Sequence, residues 1–149
     1  MTPTLKGRWQ NRLILGLTVG ALVALIFGVR YGDLAAVFGV LGYWLLLGLL
    51  WDVFYQRLQR RRWDGDWPAI FQLATGALEG AVLFWLISFL AARGLPTADG
   101  LPIVGTGLPL PRFVLFYVTL WLVTFLTMQG PLRILFPRWR FRGGEWWGR

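Results

Sequence analysis

The residue with the clearest chemical potential is Glu79, an acid near the middle of an apolar stretch from Ala69 to Ala92. At a rise of about 1.5 Å per residue, it would lie roughly 15 Å into a hydrocarbon core about 30 Å thick. An ionised carboxylate is costly at that depth. We therefore expect Glu79 to be protonated, to face a water-filled cavity, or to meet a basic group of another subunit.

Polar residues accompany Glu79 on one face of the helix that this stretch predicts. Gln72 and Thr75 precede it at spacings of seven and four residues, which places all three side chains on the same face. The fourth apolar stretch carries a second polar stripe, at Tyr117 and Thr124. We predict that these two helices pack together and that Glu79 bonds to Tyr117, to Thr124 or to a trapped water.

Three roles are open for Glu79. A protonated glutamic acid bonded across a helix interface would hold helices together, within the chain or with a partner helix. An acid inside a span can also carry a proton or an ion. Catalysis has the least support, because intramembrane hydrolysis needs paired acids, an activated serine or a metal cluster. The chain has no histidine or cysteine, and its one serine, Ser88, falls on the opposite helix face, so no enzyme, cofactor or metal site is predicted.

Asp52 is the second acidic candidate, at the end of the second apolar stretch and close to an arginine-rich segment. A surface ion pair or an anchor at the membrane interface accounts for an acid in this position. Alternatively, Asp52 lies at the cytoplasmic entrance of a cavity that leads toward Glu79. The sequence leaves both interpretations open.

Two basic and aromatic segments form the third candidate surface. Basic clusters beside a membrane span attract anionic lipid headgroups at about 1 kcal/mol per charge. Docking of an acidic partner is the alternative. A similar pattern also occurs where single-stranded nucleic acid binds, but a position against the bilayer favours the lipid interpretation. The residues concerned are Arg60, Arg61, Arg62, Arg138, Arg140 and Arg142.

The elements that would position these residues are membrane helices. Of the 149 residues, 56% are hydrophobic and only 15% are charged, and the mean hydropathy is +0.56. A soluble domain usually carries about a quarter charged residues. The apolar residues are clustered rather than periodic, as is typical of membrane spans. The sequence predicts one integral membrane domain with spans at about 13–29, 34–55, 69–92 and 113–129, a Gly-Leu-Pro-rich loop at 94–111 and a basic tail at 131–149.

The distribution of basic residues predicts the orientation. Four spans place both termini and the middle loop on one side, and that side holds twelve of the fifteen basic residues. Cytoplasmic loops are enriched in lysine and arginine, so both termini are expected in the cytoplasm.

The sequence therefore predicts an all-α membrane protein with four transmembrane helices arranged as two antiparallel hairpins. The expected function is that of a non-enzymatic accessory, assembly or scaffold subunit of a membrane complex. The alternative is a small oligomeric transporter or channel that uses Glu79 as its intramembrane site. Expected partners are anionic lipids and other membrane helices, in a homo- or hetero-oligomer and without nucleic acid. The expected location is a bacterial-type cytoplasmic membrane, that is, the cell inner membrane.

Overall fold

The computed structural model describes residues 3–63, 65, 67–93 and 108–147, and the regular elements in these ranges are helices. The greater part of the Gly-Leu-Pro loop, residues 94–107, lies outside the described residues. In chain order the elements are α1 (Leu5–Leu15), a π-helical turn (Gly16–Gly20), α2 (Ala21–Tyr31), α3 (Leu34–Arg60), α4 (Ala69–Ala92), α5 (Leu110–Gln129), α6 (Pro131–Leu135) and α7 (Pro137–Phe141).

Four helical stretches are long and apolar enough to cross a membrane. The predicted all-helical architecture with four such stretches is therefore confirmed, and α4 begins and ends at the predicted residues. The stretches are Leu5–Tyr31, Leu34–Arg60, Ala69–Ala92 and Leu110–Leu135.

The first two helices extend beyond the predicted spans. The first helix begins at Leu5 rather than at residue 13, because the Thr4 hydroxyl accepts a hydrogen bond from the Gly7 N–H and caps the helix earlier. The second continues to Arg60 rather than to residue 55. Charged side chains marked the predicted ends, but a helix continues past a charge that finds a partner. This correction places Arg12 inside a helix.

A π-helical turn interrupts the first long helix directly after the segment that carries Arg12. Both glycines at its ends are buried: Gly16 lies against Trp44 and Leu45, and Gly20 lies against Leu41 of the same neighbouring helix. The missing side chains let α3 approach closely at this point. Such π turns are frequent at functional sites.

An apolar layer fills the bundle on one side of Glu79. Its most deeply buried side chains are contributed by α3, α4 and α5, each less than 2% exposed: Val37, Leu83, Phe116 and Leu120. Leu83 follows Glu79 by one helical turn, and the other members lie at the same level of the antiparallel neighbours. The interior beyond Glu79 is therefore closely packed and apolar.

On the other side of Glu79, the C-terminal segment folds back onto α1. The indole N–H groups of Trp139 and Trp146 donate to the Asn11 side-chain oxygen, at 2.9 and 2.6 Å. The Asn11 amide in turn donates to the Gly144 carbonyl at 3.1 Å. Trp139 is 4% exposed. Part of the predicted basic tail is therefore an integral layer of the bundle.

Candidate functional site: a buried arginine and two carboxylates

The centre of the site is Arg12, which joins three helices through two acids. Its Nε and Nη2 atoms donate to the two oxygens of Asp52 on α3, at 3.0 and 3.1 Å. Its Nη1 and Nη2 atoms donate to the two oxygens of Glu79 on α4, at 3.2 and 3.5 Å. All three side chains are largely buried, with exposed fractions of 13%, 6% and 9% respectively. The fork of the guanidinium suits such planar, bidentate pairing.

The walls of the bundle are shaped to admit the Arg12 side chain. Its guanidinium lies over the Trp44 ring, 5.2 Å from the ring centre. Gly48 occupies the next turn of α3, and a Cβ atom at that position would overlap the guanidinium. The small residue and the aromatic face together form the slot for the cation.

We expect Gly48→Ala to lower the free energy of unfolding by about 1–3 kcal/mol, because the added methyl group displaces Arg12 from both acids. Gly42 is a matched control on the same helix, since a Cβ atom there meets nothing within 4 Å. Alanine at position 42 is expected to be neutral or to stabilise by up to about 1 kcal/mol. Unfolding in mixed micelles, followed by circular dichroism, measures both changes. Equal effects at the two glycines would contradict the slot.

A cavity of about 140 Å³ lies against the three charged groups. This volume is enough for several water molecules. Its lining combines charged, polar and aromatic side chains, including Arg8, Arg12, Asp52, Tyr55, Glu79 and Trp121. The cavity extends from Glu79 toward the C-terminal segment, where Arg133 and Trp139 complete the lining. The apolar layer closes the other end.

The other predicted polar residues lie around this cavity. Gln72, Thr75 and Thr124 line it together with Glu79. Gln72 also accepts a hydrogen bond from Gln129 of the fourth stretch, at 3.3 Å. The structure thus brings the polar faces of α4 and α5 together.

Two of the predicted bonding partners of Glu79 were wrong, namely Tyr117 and Thr124. The Tyr117 hydroxyl donates to the Gly76 carbonyl at 2.6 Å, and Thr124 donates to the Leu120 carbonyl at 2.8 Å. Glu79 instead receives hydrogen bonds from Arg12. The expectation of a protonated acid assumed that the spans held no basic group, and the early start of α1 removes that assumption.

Asp52 lies deeper than the sequence indicated. It is 4% exposed and pairs with Arg12 of the first helix rather than forming a surface ion pair. Asp52 lies inside α3, and the early start of α1 brings Arg12 to it, so the carboxylate is buried between helices. It shares the cavity lining with Glu79, so the two acids belong to one site.

The two basic segments lie at the same end of the bundle as the cavity. The side chains of Arg60, Arg61, Arg138 and Arg142 are exposed, whereas that of Arg140 lies outside the described part of the structure. Arg62 is partly buried, with its guanidinium 4.9 Å from the centre of the Phe71 ring. The contacts predicted for these arginines, with lipid or with a partner, stay predictions.

Sequence reasoning missed Arg12 and Asn11 as site residues. Both were assigned to the flank of the first span, although a run of alternating polar and basic residues just before an apolar stretch could have indicated a buried polar face. Arg12 stands apart as a site residue because its two acidic partners lie 40 and 67 residues away in the sequence. Such pairings are not visible in local spacing.

Comparisons with protein-family models, curated proteins and solved structures find no match for this chain. Within the described ranges, no group of three or more metal-binding side chains lies close enough together to hold a metal ion. The site consists of a guanidinium shared by two acids beside a polar cavity that extends toward the C-terminal segment.

Proposed function

We propose that this chain is a non-enzymatic multi-pass membrane protein that acts as an accessory or assembly subunit of a membrane complex. Its four spans form two antiparallel hairpins with both termini in the cytoplasm. The four long apolar helices support integration in a membrane. The excess of basic residues at the end that carries both termini supports the orientation.

A seam of small residues on the outer face of α4 carries the assembly proposal. Ala74, Ala77, Ala81 and Ser88 are all exposed and recur at spacings of three, four and seven residues. This seam faces away from Glu79. Small residues on a membrane helix allow another helix to approach closely, whereas a face that meets only lipid has no need of them. The seam is suited to a partner helix.

The charged site supports a structural rather than a catalytic role. Both buried acids accept hydrogen bonds from Arg12, so each carboxylate is already engaged. A buried charge with a partner on another helix fixes how the helices fit together. The transporter alternative needs a route past Glu79, and the apolar layer around Leu83 and Phe116 counts against one within a single chain.

Photocrosslinking in native membranes tests the assembly proposal, because the chain contains no cysteine and accepts single-cysteine probes. Ala81→Cys carries a thiol-linked photocrosslinker on the seam, and Leu46→Cys is the control on the exposed face of α3. We expect a discrete adduct from position 81 only. Adding Ala77→Phe should abolish it, since the bulky ring prevents close approach. No discrete adduct, or the same adduct from position 46, would refute the proposal.

The same cysteine-free background tests the orientation. Trp63→Cys, at an exposed site between α3 and α4, should react with a membrane-impermeant maleimide in inside-out vesicles but not in intact cells. Arg93→Cys, at the other end of α4, should show the reverse. The reverse pattern at both positions would refute the orientation.

A further inference from the structure

Several side chains around the cavity carry polar hydrogens that have no acceptor among the described residues. These are the Arg8 Nε–H, the Arg133 Nε–H and the Trp121 indole N–H. All three groups can only donate. Buried donors without an acceptor are uncommon in folded proteins, and each one calls for an explanation. Three of them around one cavity indicate that it receives a group rich in acceptors.

The charges around the cavity point to an anion. Three arginines, Arg8, Arg12 and Arg133, face two carboxylates in the lining, so one positive charge is in excess. Both carboxylates are already paired with Arg12. The exposed arginines at this end of the bundle add a positive field around the approach, which concentrates anions and repels cations.

The chain's own arginines already cover two of the aromatic rings that line the cavity. The Arg8 guanidinium lies over the Trp67 ring at 5.0 Å, and Arg12 lies over Trp44 at 5.2 Å. These two rings are therefore already engaged with cations of the chain itself. An anion would instead meet donors that are still without partners.

We propose that this cavity binds a phosphate group, carried either by an acidic lipid headgroup or by a small molecule in solution. A phosphate offers several acceptor oxygens to diverging donors, and guanidinium groups match its geometry. The volume of about 140 Å³ admits one such group without its acyl chains. The site would work in an isolated chain, so it does not depend on the assembly proposal.

Tryptophan fluorescence of the purified protein in a neutral detergent tests the proposal, because Trp44, Trp67, Trp121 and Trp139 line the cavity. The probes are inorganic phosphate and dihexanoyl phosphatidic acid, with dihexanoyl phosphatidylcholine as the control at constant ionic strength. We expect a saturable change with at least one phosphate probe. Saturation by both probes, or by inorganic phosphate alone, identifies a soluble ligand, and saturation by the acidic lipid alone identifies a headgroup. Without a saturable change from either probe, the proposal fails.

Substitutions separate the cavity from the basic surface. Arg133→Gln should weaken binding by roughly tenfold or more, through the loss of a charged donor. Trp121→Phe removes the indole N–H, keeps an aromatic ring and leaves the charge unchanged, and it should weaken binding several-fold. It therefore tests the cavity without a change of charge. Arg57→Gln, at an exposed position on the same end, is the matched control and should leave binding within about twofold. Equal weakening by Arg57→Gln and Arg133→Gln, or no effect of Arg133→Gln and Trp121→Phe, would overturn the proposal.

Discussion

Replacement of Arg12 by methionine is expected to lower the free energy of unfolding by about 3–5 kcal/mol. The substitution keeps an unbranched side chain of similar length in the slot beside Gly48. It removes the guanidinium that donates to both acids, so Asp52 and Glu79 are left as two largely buried acids of one site without a cation between them. Two like charges without a cation are costly in such a place.

Removal of either acid should cost much less than removal of the arginine. Glu79→Gln and Asp52→Asn each leave Arg12 paired with one carboxylate. The remaining ion pair carries no net charge. Asp52→Asn is expected to have the larger effect of the two, because the bonds from Arg12 to Asp52 are shorter, 3.0 and 3.1 Å against 3.2 and 3.5 Å. Each change should cost about 1–3 kcal/mol.

A combined variant and a distant arginine provide the controls. Arg12→Met together with Asp52→Asn and Glu79→Gln removes all three charges, so it should recover part of the stability lost in Arg12→Met alone. Arg30→Gln, at an exposed position at the end of α2, should change stability by less than about 0.5 kcal/mol. Unfolding in mixed micelles measures the whole series. A loss for Arg12→Met no larger than that for Glu79→Gln would contradict the shared guanidinium.

The contrast between Glu79 and Arg12 shows which site residues can be predicted from the sequence. An acid at the centre of an apolar stretch is visible locally, and the helical spacing of Gln72 and Thr75 places them on its face. The bounds of α4 were also predictable, because Pro68 and Arg93 limit an uninterrupted apolar run. These inferences depend only on neighbours in sequence.

The partner of Glu79 was not predictable in the same way. The rule that ends a span at its first charge assigned Arg12 to the membrane interface, because charges are costly in hydrocarbon. Two acids on other helices offset much of that cost by pairing with the charge, and no local pattern indicates that they do. The π turn and Gly48 fix the slot, but a glycine in an apolar helix serves many purposes. Long-range pairing of charges is a property of the fold.

The C-terminal segment is a second long-range feature, and Asn11 is one of its points of attachment, beside Thr4 and Gln10. The Asn11 oxygen accepts from two indole groups, and its amide donates to a backbone carbonyl near the chain end. Trp139 also lines the cavity, so the attached segment forms part of the cavity wall. Release of this segment would open the site at that end.

Asn11→Leu is therefore expected to weaken the docking of the C-terminal segment while the four long helices stay folded. Leucine has a similar size but bonds to neither indole, and the loss should destabilise docking by about 2–4 kcal/mol. A change of about 1.4 kcal/mol alters an equilibrium constant tenfold. The population of the form with the segment undocked should therefore increase on the order of 30- to 1000-fold. Trypsin cleavage after the tail arginines should accelerate accordingly where opening precedes cleavage. Mass spectrometry of the released peptides measures the rate.

Two tryptophan variants serve as a partial loss and as a neutral control for this prediction. Trp146→Phe removes one donor and keeps an aromatic ring, so cleavage should accelerate by a smaller factor, about tenfold. Trp63→Phe changes a side chain that is 96% exposed, and the cleavage rate should match that of the natural chain. Because the Asn11 oxygen serves both indoles, the effects of Asn11→Leu and Trp146→Phe should not add in the double variant. Additive effects, or unchanged cleavage in Asn11→Leu, would show that contacts other than the Asn11 bonds hold the segment in place.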